Sequence, residues 1–241
     1  MNLFQCILTA NDCYKKGETI KPKGFLLHST GANNPNLKRY VQPLKTDGNY
    51  AALIAKLGTN NNGNHWNRTN LDVCVHGFIG KLANGSIATV QTLPWNHRGW
   101  HAGKGSKGSA NNTHIGIEIC EDGLSDKNYF NKVYQEAVDV VAYLCKRYGW
   151  DPLADGVIIC HSEAHKRGIA SNHGDVMHWF PKHGKSMDTF RADVADKLTV
   201  KTGTTKKLYR VQVGAFASKA NAERLAKELK ANGYSTIIKQ D

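Results

Sequence analysis

Two histidines stand at the ends of predicted buried strands, where a rigid scaffold commonly presents chemically active side chains. His28 ends the apolar run of GFLLHST, and His161 follows the apolar run VIIC. Asp175 lies in the loop after His161, and Glu118 lies on the predicted strand HIGIEI. Two neutral imidazoles and one carboxylate, with a fourth position left to water, form a common catalytic zinc shell.

A zinc ion held in this way would support the hydrolysis of a carbonyl compound. Bound water then has a pKa of about 7, and a nearby carboxylate such as Glu118 can take its proton. Each residue also has a structural alternative. The two histidines can be buried structural residues, and Asp175 can be a cap or turn residue. Glu118 can be the ion-pair partner of a lysine. Because the chain contains 11 histidines, residue types alone leave these alternatives open.

The elements that must position these residues alternate between strands and helices. Strands are predicted over 24–30, 73–79, 87–92, 115–120 and 157–160, with a hairpin turn at Asn84-Gly85. One helix is predicted over 131–148, with Gly149 as its C-cap, and a second helix is predicted near 187–198. The glycine-rich run 95–112 is predicted to be a long loop. This order predicts an α/β or α+β domain.

A smaller unit is predicted after a polar linker. We expect a main domain over 1–198, a threonine-rich linker over 199–207 and a second module over 208–241. In that module a strand, a helix after Ser218 and a second strand-like segment at 235–239 predict one βαβ unit. Because so small a unit is marginally stable alone, it is expected to dock on the main domain, to pair with another chain or to be a truncated remnant.

The chain is strongly basic, which favours a polyanionic partner. Its 241 residues contain 32 Lys and Arg against 20 Asp and Glu, a formal net charge of +12. Nucleic acid, anionic lipid and a wall polymer rich in phosphate and carboxylate fit this charge, as does a solvated basic surface. The sequence has no basic arm or zinc-finger spacing, so specific nucleic-acid binding is not expected. No apolar run reaches the roughly 20 residues of a membrane helix, so no membrane insertion is expected.

The first residues and the cysteines bear on the cellular compartment. The start MNLFQCILTAND has no basic region and no clear cleavage site, which predicts synthesis in the cytoplasm without a signal peptide. Action outside the cell would then need release by lysis or another route. The six cysteines are scattered without a C-x-x-C pair, which predicts reduced, mostly buried thiols. A Cys6–Cys13 bridge is the alternative.

Four short motifs occur in an order that resembles one enzyme family. They are HST at 28–30, WHAG at 100–103, IGIE at 115–118 and CHSE at 160–163. The region 20–198 thereby resembles the zinc-dependent N-acetylmuramoyl-L-alanine amidases of the amidase-2 or peptidoglycan-recognition type, especially prophage endolysins. The resemblance implies an α/β fold with a central mixed β-sheet flanked by helices, and a zinc ion in a groove. It also implies that bacterial peptidoglycan is cleaved at the amide between the lactyl group of N-acetylmuramic acid and L-alanine.

The same resemblance implies a ligand set for the zinc ion. His28 and His161 match the family's first two ligands, and Asp175 matches the third. The gap between His161 and Asp175 is longer than is usual in the family. Three further histidines of this loop are therefore rival ligands: His165, His173 and His178.

Other residues are matched to catalysis and substrate binding. Glu118 matches the glutamate that activates water, and His173 stands where the family often has a lysine that stabilises the oxyanion or leaving group. Histidine has a reference pKa of about 6.5, so His173 would be only partly charged at neutral pH. Trp100 and His101 match groove positions that contact the muropeptide. A Cys160–His161 nucleophile is not favoured, because adjacent strand residues point to opposite faces.

Residues 209–239 resemble a second family, which adds another candidate function for the chain. YRVQVGAF, a helix rich in Ala, Leu and Lys, and GYSTIIK are similar to the first half of a sporulation-related (SPOR) repeat over 209–239. That resemblance implies binding to denuded glycan strands, which lack stem peptides. A zinc-free peptidoglycan-binding protein of the same fold is the main alternative to the amidase. A polyanion binder, which rests on charge alone, is a third.

Overall fold

The computed structural model describes residues 1–200, 212–232, 234 and 236–239. The chain divides into two compact units, Met1–Thr204 and Thr205–Asp241. The boundary between them, and most of the predicted linker 199–207, lie outside the described residues. Among the helices that the structure describes, none is long and apolar enough to cross a membrane.

A mixed sheet forms the centre of the first unit. Its described strands are β1 (Leu3–Gln5), β2 (Gly24–Ser29), β3 (Gly77–Lys81), β4 (Ile87–Gln91), β5 (His114–Ile119) and β6 (Ile158–Cys160). The order across the sheet is β1-β4-β3-β5-β2-β6. Strands β3 and β4 pair antiparallel, and the other neighbouring strands are parallel. The predicted mixed sheet is confirmed.

Strand β2 lies inside the parallel half of the sheet, between β5 and β6. All six of its residues are buried, and burial on both faces explains why the sequence GFLLHS is a continuous run instead of an alternating one. Because β2, β5 and β6 run in the same direction, their carboxyl ends meet at one edge. This edge brings the ends of the HST, IGIE and CHSE motifs together.

The described residues of the first unit form five α-helices around this sheet. They are α1 (Asp12–Lys16), α2 (Tyr50–Leu57), α3 (Lys127–Tyr148), α4 (His161–Lys166) and α5 (Met187–Val200). Helix α3 begins before the predicted start at 131, because the Asp126 carboxylate accepts hydrogen bonds from the backbone N–H groups of Asn128 and Tyr129. It ends at Gly149, whose φ of +68° forms the predicted C-cap.

The two faces of the sheet have different covers. Helix α3 packs on one face against a core that includes Phe25, Leu27 and Ile117. On the other face, Ala102 and Ala110 of the predicted loop 95–112 pack against Leu26. That loop contains one short 3₁₀ helix in its described residues, Ala110–Asn112. Strand β2 is therefore packed against α3 on one face of the sheet and against the loop 95–112 on the other.

The segment before β3 departs from the predicted strand 73–79. Regular pairing starts at Gly77, and Cys74 instead forms an isolated antiparallel bridge with Trp100. The predicted hairpin turn is present, with Gly85 at φ +79°. Cys74 is thus paired with the Trp100 segment, whereas the backbone N–H of His76 donates to the carbonyl of Gly116 on β5.

One disulfide corrects the prediction made for the cysteines. Cys13 of α1 is bonded to Cys74, with their Cα atoms 6.3 Å apart. Neither six reduced thiols nor a Cys6–Cys13 bridge is correct, because the fold, and not closeness in the sequence, brings two sulfurs within bonding distance. The four remaining cysteines are buried thiols, as predicted.

Removing this disulfide is expected to destabilise the first unit. The bond closes a loop across 61 residues, and loss of such a cross-link costs about 2–4 kcal/mol. A Cys13→Ser/Cys74→Ser double variant should therefore unfold at lower urea concentration than the oxidised wild type. Wild-type protein treated with reductant is the control and should match the variant. Equal midpoints for oxidised wild type and double variant would contradict the prediction.

In the second unit the structure describes one helix, α6 (Lys219–Ala231), which begins after Ser218 as predicted. The flanking described residues 212–216 and 236–239 form no strand pairing, so the described part of the predicted βαβ unit contains its helix. Residues 209–211 and 235, which belong to the two predicted strands, lie outside the described residues.

Candidate metal centre

Three of the predicted site residues meet at the carboxyl edge of the sheet. The Nδ1 atom of His28 lies 2.9 Å from Oδ2 of Asp175, and Nδ1 of His161 lies 3.0 Å from the same oxygen. The two Nδ1 atoms are 3.3 Å apart. Both imidazoles are buried, and the Asp175 side chain is only 13% exposed. In the described part of the chain, this is the only group of three or more potential ligands that converges closely enough to hold a metal ion.

The junction of β6 and α4 delivers His161. Cys160, the last residue of β6, is fully buried in the core that packs on α3. His161 is the first residue of α4 and points to the ligand group. The predicted separation of the two side chains is confirmed, and no Cys–His nucleophile is formed.

Glu163 fixes the backbone at this junction. Its Oε2 accepts a hydrogen bond from the backbone N–H of Cys160 at 3.1 Å. The guanidinium of Arg191 on α5 donates to both carboxylate oxygens, each at 3.1 Å. The CHSE motif therefore contains one site histidine and the carboxylate that holds its strand-to-helix turn.

A Glu163→Ala variant is expected to be less stable by about 1–3 kcal/mol, the cost of leaving a buried hydrogen-bond donor without its acceptor. The carboxylate is 27% exposed and its Arg191 partner 19%, so solvent weakens these bonds only partly. Asp188→Ala is the matched control, because Asp188 also accepts from Arg191 but is 92% exposed. Urea unfolding should show a clear shift for Glu163→Ala and little for Asp188→Ala. Similar shifts in both variants would contradict the assignment.

Asp175 reaches the histidines from a short turn. It begins the 3₁₀ helix Asp175–His178 with a φ of +45°, a left-handed conformation that Asp and Asn tolerate better than other non-glycine residues. Buried Val176 and Trp179 anchor the turn in the core. At its end, Nε2 of His178 lies 3.0 Å from Oε1 of the buried Glu121.

The rival histidines occupy other positions. Nδ1 of His165 lies 3.2 Å from the carbonyl oxygen of Ala170, and His178 faces Glu121. His173 is exposed, with its ring centroid 4.6 Å from that of His161. It lies beside the ligand group without being part of it.

Glu118 lies next to this group on the neighbouring strand. It is in register with His28 across the parallel β2–β5 pair, so both side chains leave the same face of the sheet. Its Oε2 is buried and has no hydrogen-bond partner in the described part of the chain. Burial, reinforced by the negative charges of Asp175 and Glu121, raises the pKa of Glu118 well above its usual range.

The electrostatics of the ligand group suit a divalent cation. Burial pushes the pKa of Asp175 upward, but hydrogen bonds to His161 and His28 outweigh it and hold that pKa well below its usual range. Burial lowers the pKa of His28 despite the opposing pull of Asp175. The carboxylate is therefore ionised and His28 favours its neutral form, as metal ligation requires. Two imidazole nitrogens and one carboxylate oxygen match the donor set of catalytic zinc sites, so these residues fit the ion.

The two predicted groove residues are placed differently. Trp100 is 41% exposed, and the Arg98 guanidinium carbon lies 5.0 Å from its ring centroid. His101 lies against the ligand group, with its Nδ1 3.0 Å from Nε2 of His28. Burial, with the charges of neighbouring histidines, lowers the pKa of His101 well below its usual range.

Sequence reasoning missed the partner of the second ligand histidine. Nε2 of His161 lies 3.3 Å from the hydroxyl oxygen of Ser171, which also lies 3.1 Å from Nδ1 of His173. A single serine in a polar loop carries no pattern that would single it out. Its position becomes visible only when the loop is folded back over α4.

Comparison with known proteins gives this geometry a context. The family model for N-acetylmuramoyl-L-alanine amidase (Amidase_2) matches residues 18–176, and the SPOR domain model matches residues 185–240. The SPOR match thus starts before the predicted module boundary at 208. N-acetylmuramoyl-L-alanine amidase CwlA of Bacillus subtilis (strain 168) is 27% identical over 143 residues, which cover 54% of this chain and 50% of that protein. The chain spans about half the length of this curated relative.

Solved structures share the fold. A mutant endolysin from Bacillus subtilis superposes with a TM-score of 0.52 at 22% identity, covering 80% of this chain and 99% of that chain. The hydrolase AmiA of Staphylococcus aureus, in complex with its ligand, gives a TM-score of 0.51 at 17% identity, covering 86% of this chain and 87% of that chain. The family match spans most of the first unit and includes His28, His161 and Asp175. The chain therefore belongs to the Amidase_2 family of N-acetylmuramoyl-L-alanine amidases.

Proposed function

We propose that this protein hydrolyses the amide between the lactyl group of N-acetylmuramic acid and L-alanine in bacterial peptidoglycan, with a zinc ion held by His28, His161 and Asp175. Family membership supports the reaction and its substrate. The observation that carries the cofactor is that one oxygen of Asp175 lies within 3.0 Å of the Nδ1 atoms of both histidines. When bound, a zinc ion supplies a Lewis acid for the amide carbonyl and lowers the pKa of water to about 7.

Glu118 is the proposed general base. Its Oε2 is buried without a hydrogen-bond partner in the described residues, on the same face of the sheet as His28. A carboxylate kept free in this way can take the proton of the attacking water and return it to the leaving amine of L-alanine. No competing hydrogen bond has to break before the transfer.

His173 is the proposed stabiliser of the oxyanion or leaving group. It is exposed, and its ring lies 4.6 Å from that of His161. A substrate carbonyl placed over the ligand group would therefore come within reach of the His173 imidazole. In its protonated form the imidazole can donate a hydrogen bond to a developing negative charge. Exposed Trp100 is the proposed contact for the sugar or the stem peptide.

The place of action follows from the substrate. Peptidoglycan lies outside the cytoplasm, so we propose that the protein acts on the bacterial cell wall. For the SPOR-matched region we propose binding to denuded glycan strands. Such binding would hold the enzyme where stem peptides have already been removed.

Digestion of purified peptidoglycan with and without a chelator tests the reaction and the cofactor together. Mass spectrometry of the products should find new L-alanine amino termini with the zinc-loaded protein. Chelation should abolish them, and added zinc should restore them. Zinc-loaded protein that binds the wall without producing these termini would reject the amidase in favour of a non-catalytic binding protein.

A further inference from the structure

The imidazole of His28 is held from two sides. Its Nδ1 faces Asp175 and His161, and its Nε2 lies 3.0 Å from Nδ1 of His101. A neutral imidazole that offers Nδ1 to a metal must carry its proton on Nε2. The group that accepts the Nε2–H therefore selects which nitrogen of His28 is free to bind the ion.

We propose that His101 is a positioning residue whose Nδ1 accepts the Nε2–H of His28 and thereby directs Nδ1 of His28 at His161 and Asp175. This inference rests on the metal site of the proposed function. It gives His101 a role different from the substrate contact that the WHAG motif implies.

The surroundings of His101 fix its ring in this position. The backbone N–H groups of His101 and Ala102 both donate to Oδ1 of the buried Asn111, each at 2.8 Å. The ring lies over Gly116 of β5, where a Cβ atom would come 2.5 Å from Nδ1 of His101. The His76 ring meets it edge-on, with the centroids 5.7 Å apart. Backbone, sheet and neighbouring ring together hold the acceptor under His28.

Neither ring nitrogen of His101 is available to a substrate. Nδ1 faces His28, and Nε2 is buried. Trp100, the preceding residue, is 41% exposed. The WHAG segment therefore presents its tryptophan outward, while its histidine contacts the ligand group.

Substitutions at position 101 test whether the acceptor matters. His101→Leu removes it, and His101→Gln places its amide near the former Nε2 position and leaves the Nδ1 position empty. His101→Asn places an amide oxygen close to the former Nδ1 position and should restore the acceptor. Loss of such a partner costs about 10–100-fold in metal affinity. We expect that loss for the Leu and Gln variants, and an affinity within about threefold of wild type for Asn.

Zinc affinity is measured by competition with a chromophoric chelator, and the visible absorption of the cobalt-substituted protein reports ligand geometry. Trp100→Ala is the matched control from the same segment and should keep the wild-type zinc affinity and cobalt spectrum. Circular dichroism and thermal unfolding of the metal-free variants identify those that fold. With two loss variants, the test survives the failure of one of them to fold.

Three outcomes separate this inference from the proposed function. Wild-type zinc affinity and cobalt spectrum in a folded Leu or Gln variant would overturn the role of His101, whatever happens to cleavage. A loss of zinc affinity in the Asn variant as large as in the Leu and Gln variants would also overturn it, because the restored acceptor would then have no effect. Wild-type protein that binds no zinc, or binds it without releasing L-alanine termini, would instead overturn the proposed function.

Discussion

An Asp175→Asn variant is expected to lose its bound zinc and to lose amidase activity by at least about 100-fold. Mutation of a residue that only hydrogen-bonds a metal ligand already lowers metal affinity or activity by about 10–100-fold. The carboxylate is the charged member of the ligand group and lies within 3.0 Å of both histidines. Asparagine is the chosen replacement because residue 175 has a φ of +45°, a conformation that asparagine tolerates. The variant therefore removes the charge while keeping the turn.

Metal content after dialysis and the release of L-alanine termini measure the two effects. Asp155→Asn serves as the control, because its side chain is 86% exposed and pairs with Arg167 away from the ligand group. It should retain one zinc per chain and wild-type turnover. An Asp175→Asn protein with a full equivalent of zinc and normal turnover would exclude this carboxylate as a ligand.

A Glu118→Gln variant is expected to keep zinc but to lose turnover by about 10²–10⁴-fold, the usual contribution of a general base. Glutamine has nearly the same shape but cannot accept the proton of the attacking water. Because Oε2 of Glu118 has no hydrogen-bond partner among the described residues, the exchange breaks no such bond at that oxygen. The predicted signature is therefore a loss of kcat at unchanged metal content.

Glu136→Gln is the control for this experiment. Glu136 is a buried glutamate that accepts hydrogen bonds from Asn2 and Thr89, remote in sequence from the ligand residues. The Glu136→Gln variant should keep the wild-type metal content and the wild-type rate of cleavage. Wild-type turnover in Glu118→Gln would move the proton transfer to another group, with His173 as the next to replace.

Much of the architecture could be predicted because strand ends are visible in a sequence. The apolar runs before His28 and His161 are continuous, as in strands buried on both faces, and they mark where each strand ends. Glu118 could be placed on a strand from its sequence, but its register with His28 is visible only in the folded chain. For His28 and His161, the position at the end of a strand could therefore be predicted.

The loop residues could not be assigned in this way. The sequence offers Asp175, His165, His173 and His178 within one polar segment, and spacing alone does not show how that segment folds. The choice depends on a left-handed backbone at Asp175 and on buried anchors further along the turn. These are tertiary features without a local pattern.

Contacts between distant segments were also beyond prediction. His101 reaches His28 only because Gly116, on a third segment, has no side chain. The Cys13–Cys74 pairing likewise depends on the path of the whole chain between the two residues. Both contacts depend on which segments of the folded chain lie against each other, and the periodicity of a single element does not give that information.

The three proposed ligands lie on elements that differ in local stability. His28 is part of an inner strand and His161 joins a strand to a helix, whereas Asp175 depends on a turn of four residues. Inner strands open only in global unfolding, while a short turn that is anchored by a few buried side chains, here Val176 and Trp179, opens locally at lower free energy. Ion exchange should therefore proceed by departure of the aspartate alone, with both histidines still in place. Uptake and release of zinc would then be faster than denaturation, and the emptied protein would keep its sheet.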